Sequence, residues 1–281
     1  MTIPFLKMHG LGNDFVVIDA RKTPVPLTAT QVVAIGDRRR GVGFDQLILI
    51  EPPQDKAADI FMRILNPDGS EAGACGNATR CVASLVGKGL GGDALVIQTI
   101  SGLLDCRLHE DGTVTVDMGP ARLDWQQIPV AEACDTLHLP PIAGPLGDGV
   151  GVNMGNPHAV HFVPDAEAVD LETWGPQLER HAFFPDRANI EVASVTGPSS
   201  VRMRVWERGA GITQACGSGA CAVGVAAIRR GLVEGRRVAV TLDGGVLTIE
   251  WRKDGHVLMT GPVATSFAGH LGPDLLGGEA L

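Results

Sequence analysis

The chain has no excess of positive charge: 23 lysines and arginines stand against 32 aspartates and glutamates, a net of −9 over 281 residues. A surface built for nucleic acid or for anionic lipid needs a basic excess, so neither partner is expected. No apolar run reaches the roughly 18 residues that a membrane-spanning helix requires. The opening MTIPFLKMHGLGNDF lacks a basic start followed by an apolar stretch and a small-residue cleavage site, so the expected location is the cytoplasm. Cysteine is scarce as well. Six in a chain of this length are too few for a disulfide framework, and in a reducing compartment each is a thiol serving either packing or chemistry.

What is present is mostly strand pattern. FDQLILIE (44–51), IFMRIL (60–65), ALVIQTI (94–100), LLDCRLH (103–109) and TVTVDM (113–118) are β-branched or alternating. A second set follows: VRMRVWE (201–207), RVAVTL (237–242), VLTIEW (246–251) and HVLMTG (256–261). Ser-Gly, Asp-Gly and Asp-Gly-Gly turns between them predict mostly antiparallel pairing. Two helices are expected at about 77–86, stopped by Gly87 and Gly89, and at about 218–230, stopped by Gly231. Both are apolar nearly all round, the mark of a buried helix. A third, amphipathic helix fits 28–38, with Thr28 or Thr30 as its N-cap.

The informative feature is an internal echo. ACGNATRCVASLVGKGL (74–90) and ACGSGACAVGVAAIRRGL (215–232) share Ala-Cys-Gly, a small polar residue, an apolar helix and a Gly-Leu ending, about half the chain apart. The fold class this implies is α/β, of the α+β type: two similar halves, each bending a sheet around one buried helix. The Pro-containing stretch 123–145 begins the second half or links the two.

Each echo sets a cysteine, Cys75 or Cys216, just before a helix. The first turn there has unpaired N–H groups and the positive end of the dipole, so it lowers a thiol's pKa and attracts a carboxylate. Glycine directly after the cysteine admits a close ligand. Two such cysteines in equivalent settings suit the inversion of a carbon centre, in which a base takes a proton from one face and an acid returns one to the other. Cys81 and Cys221 lie inside the helices and read as packing; Cys106 and Cys134 receive no role. The pairs Cys75/Cys81 and Cys216/Cys221 lack the Cys-x-x-Cys spacing of structural zinc sites, so no metal is expected. Asn13, Asn66, Asn156 and Asn189 sit in Gly- or Pro-rich loops or at strand ends, where they serve as turn formers or as contacts for a small polar substrate. Glu207 and Arg208, at a strand end near Cys216, could meet an amine and a carboxylate, and His158 could tune a thiol.

In order along the chain, MHGLGNDFVVID (8–19), GFDQL (43–47), NPDGSEAGACGNATRC (66–81), GNPHAV (155–160), FPDRANIE (184–191) and ERGAGITQACGSGACA (207–222) together resemble the diaminopimelate epimerase family over nearly the whole chain. The resemblance implies two pseudo-symmetric domains, each a mostly antiparallel barrel-like sheet around a central helix. We set these at residues 1–118 with 263–281, and 119–262. It implies interconversion of LL- and meso-diaminopimelate without any cofactor, on the route to lysine and cell-wall peptide. Carried over by motif, Cys75 and Cys216 are the acid/base pair. Asn13, Gln46, Asn66, Asn156, Asn189, Glu207 and Arg208 contact the substrate, with Arg208 on its distant carboxylate. Gly76-Asn77 and Gly217-Ser218 are the carboxylate-binding helix starts, and His158 and Glu207 modulate the thiols. Ala78 stands where the family often has glycine, and Ser218 where it often has threonine. The chain has no tyrosine. Phe267 takes the place of one that the family uses near its C-terminus to pair subunits, so a homodimer is expected through it. The alternatives are a proline or hydroxyproline racemase of the same fold and, from another class, a zinc-binding or thiol-redox protein.

Overall fold

The structure, a computed structural model, describes residues 2–142 and 144–277. The domain ranges above also take in residues 1, 143 and 278–281, which lie outside the described residues. The chain divides into two compact units, Met1–Val116 with Gly261–Leu281, and Asp117–Thr260.

The first unit runs β1 (Ile3–Gly10), β2 (Asn13–Asp19), α1 (Ala29–Gly36), β3 (Gln46–Glu51), β4 (Ile60–Leu65), β5 (Glu71–Ala72), α2 (Gly76–Leu90), β6 (Ala94–Thr99), β7 (Gly102–Leu108) and the start of β8 (Val114–Pro120). The second runs β9 (Gly149–Asn153), β10 (Pro157–Phe162), α3 (Leu171–Glu179), β11 (Asn189–Gly197), β12 (Ser200–Glu207), β13 (Gly211–Ile212), α4 (Gly217–Arg229), β14 (Arg237–Leu242), β15 (Gly245–Trp251) and β16 (His256–Gly261). The chain then returns to the first unit, where β17 (Ala264–Leu271) pairs antiparallel with β1.

The two units use one pairing scheme. In each, the first two strands are antiparallel, β1–β2 and β9–β10. The next contact is parallel, β2–β3 and β10–β11, and an antiparallel pair follows, β3–β4 and β11–β12. A second parallel contact, β4–β6 and β12–β14, spans the buried helix. The sequence echo is therefore a repeat of topology and not only of one motif. Most pairs are antiparallel, as the turns predict, and the parallel ones arise where α1 to α4 make the crossover.

Each unit's sheet covers most sides of its helix; α4 is apolar all round, whereas α2 also buries Asn77, Thr79 and Arg80. α4 packs on β9, β10, β11, β12, β14 and β15, and α2 on β1, β2, β6 and β7. Ala220, Ala222, Val223, Val225 and Ala226 of α4 are fully buried. Small residues allow this approach: a Cβ at Gly224 would come within 2.8 Å of Ile249 on β15.

Helix boundaries differ from expectation most at α2, while α1 ends at Gly36, two residues short of the expected 38. α2 does not stop at Gly87 or Gly89 but runs to Leu90 and ends at Gly91, which takes the left-handed conformation. An interior glycine costs only about 1 kcal/mol, and Gly87 lies under Leu108, where a Cβ would be 2.8 Å from Cδ2. Close packing, not termination, accounts for that glycine. α4 ends as expected at Gly231: its N–H bonds Ile228 and that of Leu232 bonds Ala227, the paired bonds of a Schellman stop. Of the two candidate caps for α1, Thr28 is used, in a reciprocal capping box with Gln31. α3 has no counterpart in the sequence reading. Gly175 and Pro176 break its pattern; Gly175 lies beneath Trp206, whose indole would be 2.5 Å from a Cβ there, and Asp170 caps the helix through the Thr173 amide.

Candidate active site

Both echoed cysteines are helix N-caps. Cys75 precedes α2 in extended conformation, and its carbonyl accepts the Thr79 amide and hydroxyl at 2.9 Å each. Its half-buried thiol lies 3.9 Å from Asn13 Oδ1, which also accepts from Asn77 Nδ2 at 3.1 Å. Asn13 opens β2 directly after the tight turn Leu11-Gly12, both at positive φ. Its amide is oriented from the other side, because its Nδ2 donates to Asp45 at 2.8 Å. Asp45 is in turn bound by Arg38, which reaches Asp14 as well. Burial alone would push the Asp14 carboxyl up, but hydrogen bonds and charge from Arg38 and Lys7 outweigh it and hold Asp14 at about 2. Gln46, at the start of β3, donates to Asn66 at 3.3 Å, and Asn66 donates to Ser70 at 3.0 Å. Cys75, Asn77 and Asn13 thus form one contact set in the first unit, and Gln46 and Asn66 another.

In the second unit the register of β10, β11 and β12 decides which side chains share a face. Glu191 lies opposite Val160 and Val205, so His158, Asn189, Glu191 and Glu207 all point to one side. Cys216, 4% exposed, caps α4 through its sulfur, which accepts from the Gly219 amide at 3.3 Å, with Ser218 Oγ at 3.6 Å. His158 Nδ1 lies 2.6 Å from Glu191 Oε1, and its Nε2 lies 2.9 Å from Asn156 Oδ1. Glu207 bonds the Thr213 hydroxyl. Burial raises the Glu207 carboxyl above its usual range, opposed by its hydrogen bonds to Thr213 and Cys216. Asn189 ties two segments together, donating to the Pro157 carbonyl at 3.0 Å and accepting the Arg208 amide at 2.9 Å. Arg208 is exposed, and its guanidinium rests on the Asp186 carbonyl at 3.0 Å. Adjacent residues of an extended chain point to opposite sides, which divides Glu207 and Arg208 between the Cys216 side and solvent.

One expectation is overturned. A helix start was expected to lower the thiol pKa, yet Cys216 is raised well above the usual thiol value. Burial is the main cause, followed by the carboxylates of Glu207 and Glu191, and the hydrogen bonds from Ser218 and Gly219 do not compensate. Cys81 and Cys106 are also pushed up by burial, each to about 12, in keeping with packing roles. Glu191 and Asp45 were not singled out from the sequence. The signal for Glu191 was a lone carboxylate within the apolar run NIEVASV, a side chain that strands do not bury without a partner.

The thiolate is the reactive form of cysteine. In the substrate-free protein at pH 7.5, Cys75 is therefore expected to react with iodoacetamide ahead of Cys216. Labelling of Cys216 should rise only as the pH passes well above 9. Peptide mapping by mass spectrometry checks this, and equal labelling of the two at neutral pH would contradict it.

Among the described residues, no helix is long and apolar enough to cross a membrane. Residues 5–123 and 150–266 match the sequence model of a family described as diaminopimelate epimerase. A diaminopimelate epimerase from Rhodospirillum centenum is 68% identical over 275 residues, covering 98% of this chain and 94% of that protein. One from Acidiphilium cryptum is 55% identical, covering 97% of this chain and 98% of that protein. Solved structures with a similar fold include a hydroxyproline epimerase from Agrobacterium vitis with bound trans-4-hydroxy-L-proline. Its TM-score is 0.69 at 18% identity, covering 100% of this chain and 96% of that one. A phenazine biosynthesis protein of the PhzF family from Bacillus anthracis gives 0.70 at 15% identity, covering 96% and 99%. At such identities the likeness is one of fold.

Proposed function

The chain belongs to the diaminopimelate epimerase family, and from that premise we propose that Cys75 and Cys216 are the acid/base pair with which it interconverts LL- and meso-diaminopimelate. The observation that carries this reading is the placement of both thiols at the same point of two topologically equivalent units, each as the N-cap of the buried helix. For one stereoisomer a thiolate removes the α-proton. The electron pair moves onto the α-carbon and its carboxylate, and the other thiol returns a proton to the opposite face. For the other stereoisomer the roles exchange. Cys216, held protonated by burial and two neighbouring carboxylates, enters as the proton donor.

The amides at Gly76-Asn77 and Gly217-Ser218 would stabilise the carboxylate as it gains enolate character, being preorganised donors at a helix start. Asn13, Gln46, Asn66, Asn156 and Asn189 would hold the polar groups of the substrate, Glu207 its amine side, and Arg208 the distant carboxylate. His158 and Glu207 would tune the thiols. The reaction needs these side chains and no added cofactor.

The domains, 1–118 with 263–281 and 119–262, would each contribute one cysteine. We assign the enzyme to the cytoplasm and to a homodimer. Support for the dimer comes from Phe267 on β17, which is 50% exposed and packs edge-on against Phe5 at 6.1 Å between ring centroids. A half-exposed aromatic braced by a second ring is a suitable anchor for a subunit contact.

The test is an assay with LL-diaminopimelate in deuterated water without added cofactor. The expected result is deuterium at the α-carbon together with formation of the meso isomer. Exchange of proline or hydroxyproline, with none of diaminopimelate, would overturn the reading in favour of a racemase of the same fold.

A further inference from the structure

Arg208 is the first of three exposed residues at the tip of the β12–β13 hairpin, between the paired Glu207 and Gly211. The second, Gly209, has a positive φ. Glycine gives a backbone its greatest freedom, so such a tip is a loose mount for a side chain that must meet a carboxylate. Glu179, the last residue of α3, has no part in the reading above and is 1% exposed. Its Oε2 accepts the Trp206 indole N–H at 2.8 Å, and its Oε1 accepts the Gly209 amide at 3.1 Å. One carboxylate therefore grips the hairpin on either side of Glu207-Arg208, through two N–H donors whose direction covalent geometry fixes. The segment 186–189 holds the same tip. The Asp186 carbonyl accepts the Arg208 guanidinium at 3.0 Å, and Asn189 Oδ1 accepts the Arg208 amide at 2.9 Å. Between them Arg187 takes a φ of 59°, a costly conformation for a residue with a Cβ, and its guanidinium lies 3.7 Å from Glu179 Oε1. Burying a carboxylate is expensive unless it is paired, and an apolar side chain would serve packing alone at lower cost. What the carboxylate adds is a pair of strong, directed bonds to N–H groups.

We propose that Glu179 is a positioning residue for substrate specificity: by holding Trp206 and Gly209 it fixes the hairpin tip, so that Arg208 meets the distant carboxylate of the substrate. The inference rests on the assignment of Arg208 to that carboxylate and extends it to what holds the guanidinium in place. The substrate class selected this way is an amino acid with a second anionic group at its far end. Glu207, the neighbour of Arg208, has a hold of its own in the Thr213 hydroxyl, so loosening the tip acts on Arg208 first. A contact to the non-reacting end of a substrate is made equally in the ground state and the transition state, and its loss raises KM while kcat is kept.

The experiment measures kcat and KM for LL-diaminopimelate in the full-length protein and four variants: Glu179→Gln, Trp206→Phe, Arg208→Ala and the double variant Glu179→Gln/Arg208→Ala. Glutamine keeps the size of glutamate, but its amide nitrogen cannot accept, so one of the two N–H bonds is lost. KM should rise about tenfold, the worth of one hydrogen bond to a charged group, with kcat within about twofold of the parent. Trp206→Phe keeps a ring over Gly175 and removes only the indole N–H. It should raise KM in the same way, and it carries the test if Glu179→Gln does not fold. The double variant should have a KM no higher than Arg208→Ala alone, because Glu179 acts through Arg208. A role in packing alone predicts a lower melting temperature and a lower kcat with KM unchanged. Parent-like KM in both Glu179→Gln and Trp206→Phe, beside a raised KM in Arg208→Ala, would overturn the proposal and leave the Arg208 assignment standing. So would a double variant whose two effects multiply. Parent-like KM in Arg208→Ala would strike that assignment first, and the proposal with it.

Discussion

Replacing Cys75 or Cys216 with alanine should abolish epimerisation while the protein stays folded. A positioned acid or base is worth about 10²–10⁴-fold in rate, and each stereochemical direction needs both thiols. The loss in either single variant should therefore reach that range in both directions. The two substitutions should differ in stability. The Cys216 sulfur accepts the Gly219 amide, so its removal leaves an uncapped donor and should cost about 1 kcal/mol, whereas Cys75 makes no such cap bond. Thermal melting separates this from the catalytic effect. Serine variants should show asymmetry, since a hydroxyl is a poor base and the direction in which it must remove the proton suffers more. Near-normal turnover of either alanine variant, in the α-proton exchange assay, would refute the two-base mechanism.

Arg208→Ala should give the second large effect, confined to substrate. Truncating one partner of a charge pair that bound substrate buries, and leaving the other unpaired, typically costs about 2–5 kcal/mol. For the second carboxylate of diaminopimelate this corresponds to roughly 30-fold to a few thousand-fold in kcat/KM. Folding should hardly change. The guanidinium is exposed and rests on a single carbonyl, that of Asp186, while the bond that fixes the turn runs from the Arg208 backbone to Asn189 and survives the substitution. Changes at such surface positions usually stay within about 0.5 kcal/mol. Arg208→Lys should fall between parent and alanine, because it keeps the charge but loses the planar fork that matches a carboxylate. Parent-like kinetics for Arg208→Ala would make the residue an ordinary surface cation.

Features encoded in a few consecutive residues were legible without coordinates. The strand segments 60–65, 237–242 and 256–261 fall on β4, β14 and β16 residue for residue, because alternation and flanking turns are local signals. The two Ala-Cys-Gly echoes were enough to place Cys75 and Cys216 just before a helix, and Gly231 as a helix stop. Gly87 misled because its reason is Leu108, more than twenty residues further on, and no local pattern carries that contact. The same holds for Asn13. Its position at a turn was visible, but the direction of its amide is set by Asp45, on a loop that only the β2–β3 pairing brings near. Cys216 marks the boundary most sharply. The sequence alone determined that its sulfur sits at a helix start, where the backbone favours a thiolate. The tertiary structure reversed the outcome by burying that sulfur and bringing in Glu191 from β11 and Glu207 from β12. A helix dipole is a local property, whereas desolvation and the charges that arrive across a sheet depend on how distant segments pack.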